Sequence, residues 1–224
     1  RAGNLSEVTT VYAILDNSAP VITGLKNSDI PTKTKHWIWN TEDSDTTVLC
    51  RHSVDQHPDG RPSGPFQDQN AIKISDIEGK SFLHVQCQDR TGNLSDVISV
   101  YAILDKSPPK IIGLANDDTP CKIKKWEWQS VDNDPNITYR YVIDHQPVTY
   151  PAGAFSNQTA AQVSAPDGKW FLHVQAKDTA GNLSKLFTVS AIIDNRAPVL
   201  KGLTNDLIPK KLKAWQWFAI DNDP

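Results

Sequence analysis

Two sets of aspartates carry the strongest chemical signal in this 224-residue chain. Asp16, Asp43, Asp45 and Asp89 form the first set, and Asp105, Asp132, Asp134 and Asp178 repeat it 89 positions later. Calcium takes several oxygen ligands, so a lone Asp means little and a cluster means more. Four carboxylates drawn together without a counter-ion would repel one another, and a bound cation relieves that repulsion. The competing reading is that each Asp caps a turn, as Asp and Asn commonly do. The residues alone leave both open. No catalytic triad, nucleophile elbow or phosphate loop can be picked out, so the chain is not expected to be an enzyme.

Carboxylates act together only if loops bring them together, and here a repeat sets the loops. The turn Arg1-Ala-Gly-Asn-Leu-Ser6 returns as Arg90-Thr-Gly-Asn-Leu-Ser95 and Thr179-Ala-Gly-Asn-Leu-Ser184. Gly3, Gly92 and Gly181 stand 89 residues apart without a gap, as do Trp37, Trp126 and Trp215, and Asp16, Asp105 and Asp194. Such a period is too long for a solenoid turn and suits one small β-sandwich per repeat. Abundant Val, Ile, Thr and Trp, 15 Pro and dense Asn/Asp-Gly punctuation agree with an all-β chain. With 23 basic and 26 acidic residues there is no basic stripe suited to nucleic acid. No stretch of about 18 apolar residues could span a membrane. The chain starts at Arg1 and has no Met, which reads as a fragment of a longer precursor, so a missing leader says nothing about secretion.

Alternation and turn residues place the strands. Residues 197–203 read as a first strand opened by proline, and Lys213-Ala-Trp-Gln-Trp-Phe218 as a second. The second strand puts Trp215 and Trp217 on one face, as it does Trp37/Trp39 and Trp126/Trp128. Residues 138–144 and 160–164 follow. Then 169–176 turns Leu172, Val174 and Ala176 inward and His173 outward, and the equivalent strand of the preceding repeat does the same with His84, so both histidines are expected at the surface. Residues 187–193 close the repeat. About seven strands joined by short turns describe a two-sheet sandwich of immunoglobulin-like, Greek-key type. Short proline-containing linkers at Asp16, Asp105 and Asp194 divide the chain. Residues 1–16 are read as the last strand of a preceding repeat, 17–105 and 106–194 as two whole repeats, and 195–224 as the first two strands of a following one. In this topology the loops after the second and sixth strands lie at one end, where the incoming linker arrives. That would gather each aspartate set.

The Gln175-Ala-Lys-Asp-Thr-Ala-Gly-Asn-Leu-Ser184 turn, the Ile193-Asp-Asn-Arg-Ala-Pro198 linker and the Asp167-Gly168 turn together resemble the bacterial immunoglobulin-like tandem repeats of large secreted surface proteins and adhesins. That resemblance implies an extracellular, cell-surface location, with calcium at the joints between domains. Cys50 and Cys87 stand where the second repeat has Tyr139 and Ala176, inward on strands usually adjacent in such a fold. An exported chain meets an oxidising compartment, so a disulfide is expected there, against the reading of two buried free thiols. Cys121 has no obvious mate, which leaves a cross-link between neighbouring chains or, the favoured reading, a free thiol. Trp37, Trp39, Trp126, Trp128, Trp215 and Trp217 are expected in the cores, although exposed aromatic rows would stack on sugars. Sequons occur at Asn4, Asn93, Asn136, Asn157 and Asn182. The expected function is a structural repeat region of an extracellular surface protein, a stiff stalk or fibre for adhesion or spacing. Its partners would be neighbouring repeats, other copies in a filament, or a cell-surface or glycan ligand. The alternative is a glycan-binding module array attached to a secreted enzyme, which requires exposed Trp-x-Trp rings.

Overall fold

The structure, a computed structural model, describes residues 2–221. Arg1 of the first Gly-Asn turn and residues 222–224 of the C-terminal segment lie outside the described residues. The chain divides into two compact units, Arg1–Asp105 and Lys106–Pro224. It is all-β, with no helix among the described residues.

In the first unit the strands are β1 (Val21–Thr23), β2 (Ser28–Thr32), β3 (Lys35–Ile38), β4 (Asn40–Glu42), β5 (Leu49–Asp55), β6 (Ala71–Ile74), β7 (Gly79–Gln88) and β8 (Ile98–Leu104). One sheet runs β2-β8-β7-β5. Only Trp39 separates β3 from β4, and its amide donates to Asn70 O at 2.9 Å. The two are one strand in physical terms, and the second sheet is β1, β3/β4 and β6. These two sheets form an immunoglobulin-like sandwich. Trp37 and Trp39 of one sheet meet Leu83, Val85, Cys87, Val100 and Ala102 of the other, all buried. The indole Nε1 groups of Trp37 and Trp39 have no hydrogen-bond partner, a cost of about 1–3 kcal/mol each. Burying roughly 200 Å² of ring contributes about 5 kcal/mol, so the area term wins.

Strand β2 runs parallel to β8, with Ser28 opposite Ala102 and Thr32 opposite Leu104. The Asp105 amide extends this ladder to Thr32 O at 3.0 Å. This strand is absent from the reading of the sequence because Ser-Asp-Ile-Pro-Thr carries no hydrophobic alternation. At the Gly-Asn turn, Gly92 has φ +96°, left-handed backbone that glycine adopts without strain.

The second unit contains β9 (Lys110–Ile112), β10 (Asp117–Cys121), β11 (Lys124–Glu127), β12 (Gln129–Val131), β13 (Thr138–Asp144), β14 (Ala160–Val163), β15 (Gly168–Lys177) and β16 (Phe187–Ile193). Its sheet β10-β16-β15-β13 repeats the first unit's order, with β10 parallel to β16. Trp126 and Trp128 are buried against Leu172, Val174, Ala176, Val189 and Ala191. A short hairpin-like pair follows, β17 (Val199–Lys201) and β18 (Phe218–Ile220).

Both chain ends depart from expectation. Residues 2–16 form no strand, whereas the equivalent β8 and β16 are held by ladders to β7 and β15, which precede them in their repeats. Trp215 and Trp217 are 59% and 62% exposed rather than core residues. Trp37 and Trp39 owe their burial to β7 and β8 of the same unit, strands that come later in the repeat.

Candidate functional site

Asp16, Asp43 and Asp89 converge in the first unit. One carboxylate oxygen from each lies within 4.8 Å of the others. Two oxygens bound to one calcium at about 2.4 Å stand at most about 4.8 Å apart, so the spacing fits a shared ion. Asp43 Oδ2 is fully buried and has no hydrogen-bond partner. A buried carboxylate oxygen with no partner is costly, and a bound cation would offset that cost. All three ligands are hard oxygens, the donor type that calcium prefers and zinc does not.

The same residues also cap turns. Asp16 Oδ1 accepts the Ser18 amide at 2.9 Å and Oδ2 accepts Ser44 Oγ at 2.8 Å. Asp43 Oδ1 accepts the Asp45 amide at 2.7 Å. Asp89 Oδ1 accepts Gly92 N and Asn93 N at 2.7 and 2.8 Å, and Oδ2 accepts Asn93 Nδ2 at 2.7 Å. Burial pushes the Asp89 carboxyl upward, but the Asn93, Thr91 and Gly92 hydrogen bonds outweigh it and hold the group below the usual carboxylate value. Capping and convergence therefore coexist: capping fixes the carboxylates and leaves Asp43 Oδ2 unspent. Asn93 Nδ2 also donates to Asp16 O and Ser18 O, tying the incoming linker to the Gly-Asn turn.

Asp45, read as a fourth ligand, stands outside this close group. Its Oδ2 accepts the Arg90 amide at 3.1 Å and its Oδ1 the Thr47 amide at 3.2 Å, so it joins two loops. Asp134 does the same in the second unit, accepting Thr179 N at 2.7 Å and Asn136 N at 2.9 Å. Burial raises the Asp134 carboxyl and these bonds more than reverse that, leaving it low. In the second unit Asp132 Oδ1 accepts the Asp134 amide, and Asp178 accepts both the amide and the side-chain nitrogen of Asn182. Asp105 is the last residue of the first unit.

Cys50 and Cys87 are joined in a disulfide, facing each other across β5 and β7. Cys121 is free and half-buried. In the second unit, Tyr139 and Ala176 hold the same register. The side-chain amides of Asn93 and Asn182 are spent on Asp89 and Asp178, whereas Asn136 and Asn157 are exposed.

His84 and His173 correct the surface reading, since neither has any exposed area. His84 Nε2 donates to His57 O at 3.1 Å beside Asp55 Oδ1 at 3.3 Å, and Nδ1 accepts from Ser99 Oγ at 2.8 Å. A carbonyl can only accept, which assigns the proton to Nε2. His173 repeats this with Gln146 O at 2.9 Å, Asp144 Oδ1 at 3.3 Å and Thr188 Oγ1 at 2.9 Å. Each imidazole pins the long β5–β6 or β13–β14 loop to the sheet. A Cβ at Gly60 would collide with His84 and Asp55. Alternation assigned these histidines to an outer face without foreseeing that a loop covers it. A second unforeseen group is a clamp on the linker after the second sandwich. Asp167 accepts Asn195 N at 2.8 Å and pairs with Arg196 Nε at 2.6 Å.

Neither a protein-family model nor a curated protein matches the sequence. Among solved structures the chain is similar to an I-band fragment of titin, at 10% identity over 82% of this chain and 70% of that one, TM-score 0.48. It is also similar to fibronectin(III)-like modules of Clostridium thermocellum CbhA, at 14% identity over 78% of this chain and 93% of that one, TM-score 0.32. An intimin domain gives 12% identity over 79% of this chain and 100% of that one, TM-score 0.32. These scores are low, and the assignment of an immunoglobulin-like sandwich stands on strand order, register and core.

Proposed function

We propose that this chain is a load-bearing repeat segment of an extracellular surface protein, a stalk or fibre that spaces or presents an adhesive part, with calcium at the Asp16–Asp43–Asp89 cluster. The observation that carries the reading is the parallel pairing of β2 with β8 and of β10 with β16. A strand near the start of each unit and the strand at its end point the same way, so each unit receives the chain at one end and passes it out at the other. The disulfide supports an oxidising, extracellular setting. A bound calcium would neutralise the three carboxylates. Asp16 would carry that restraint to the linker, and Asp43 and Asp89 to the loops after β4 and β7. The glycan-array reading loses its platform in the two complete sandwiches, where Trp37, Trp39, Trp126 and Trp128 are buried.

Small-angle scattering of the chain in calcium and then in chelator tests this. An extended particle whose maximum dimension falls on chelation is the expected result. An extended particle indifferent to chelation removes calcium and leaves the stalk, and a collapsed particle in both buffers removes the stalk.

A further inference from the structure

Cys50 and Cys87 are 4% and 0% exposed and lie directly opposite on β5 and β7. The second unit builds the same sheet with Tyr139 and Ala176 at that register, so the sandwich does not require the bond. What the bond adds is topological. It links residues 37 apart, enclosing the β5–β6 loop, β6 and most of β5 and β7, while β1–β4 and β8 lie outside. Tension on the ends of this unit falls first on the parallel β2–β8 ladder at the sheet edge. Once that yields, the chain is drawn out as far as Cys50 from one side and Cys87 from the other, where it stops. Loss of β8 also strips the ladder that pairs Leu83 with Val100 and Val85 with Ile98, and loss of β3/β4 removes Trp37 and Trp39. The sulfurs, closed to solvent in the folded unit, are open in the stretched one, and thiol–disulfide exchange depends on such access.

We propose that Cys50–Cys87 is a load-gated thiol-exchange site: sealed in the folded first unit, presented to small thiols when tension opens it, and releasing the enclosed segment when cleaved. The proposal rests on the reading of the chain as tension-bearing. A small-molecule thiolate attacks one sulfur, forms a mixed disulfide and expels the other cysteine as a thiolate, which takes a proton from water. A second thiol then resolves the mixed disulfide. Two thiols are oxidised to one disulfide and the protein disulfide is reduced to two thiols.

The test is single-molecule stretching of the chain from its two ends, in a Cys121→Ser background that prevents scrambling, without and with dithiothreitol. The 37-residue separation at roughly 3.6 Å per residue withholds about 130 Å of extension. Without reductant the first unit is expected to open about 130 Å short. With dithiothreitol a second step of about that length should follow, and only after the first. Unloaded protein should keep its disulfide over the same interval by mass after alkylation, and Cys50→Tyr/Cys87→Ala should open in a single full step. Reduction of the unloaded protein as fast as the stretched one, absence of the second step, or its persistence in the double variant would each overturn the proposal. Failure of the stalk reading appears separately, as a collapsed particle in scattering, and leaves these steps unchanged.

Discussion

Exchanging the first unit's cysteines for the second unit's residues should leave stability nearly unchanged, although a disulfide is lost. Closing a loop between residues 37 apart stabilises by about 4 kcal/mol in the chain-entropy treatment. At the same register Tyr139 is 6% exposed, packs edge-on against Trp128 with centroids 6.3 Å apart, and shares a 2.6 Å hydrogen bond with Ser130 Oγ. Burial of the ring contributes about 2–3 kcal/mol, the edge contact about 1 and the hydrogen bond about 1. The two solutions therefore match to within a kcal/mol or so. The receptors for a tyrosine are already present in the first unit, because Trp39 and Thr41 occupy the places of Trp128 and Ser130. Cys50→Tyr/Cys87→Ala should fall within about 1 kcal/mol of the oxidised parent, whereas Cys50→Ala/Cys87→Ala should lose about 4. Urea titration followed by hydrogen exchange at the β7 amides reports on the first unit alone. Equal losses in the two double variants would refute the reasoning, since the tyrosine would then contribute nothing in place of the bond.

Other perturbations separate the roles of the polar groups. Asp43→Asn should abolish any calcium-dependent rise in Tm by calorimetry and, in chelator, leave Tm unchanged or raised, since the unpartnered oxygen no longer carries charge; a retained calcium response would exclude the cluster as the site. The Asp89 and Asp134 carboxyls lie below their ordinary value in the folded state. Their stabilisation is therefore complete above about pH 4 and lost as pH falls through the folded-state values. Circular dichroism should show a steep acid transition, made shallower by Asp89→Asn. His173→Leu leaves Gln146 O and Thr188 Oγ1 without their partner and should cost about 1–3 kcal/mol. Limited proteolysis should then cut faster within residues 147–155. Asp167→Ala removes an ion pair with a largely exposed Arg196 and should change stability by less than about 1 kcal/mol, yet amide relaxation at residues 194–198 should show faster local motion.

What could be read from the residues, and what could not, divides along one physical line. Period-two alternation reports which face of a strand meets the other sheet, and it located β7, β13, β15, β16 and the burial of Trp37, Trp39, Trp126 and Trp128. It says nothing about what lies over the opposite face. His84 and His173 were accordingly read as surface residues, when a loop with no periodic signal covers both. The parallel strands β2 and β10 escaped for a related reason. Ser-Asp-Ile-Pro-Thr and Asp-Asp-Thr-Pro-Cys pair through the backbone at a sheet edge, and their side chains need no pattern. Among the aspartates, spacing showed that four positions recur in the two repeats but not how each residue would spend its oxygens. Asp45 and Asp134 bind loop amides with both oxygens, while Asp43 keeps one oxygen buried and unmatched. That single unmet acceptor, rather than the number of carboxylates, distinguishes a candidate cation site from a set of well-made turns.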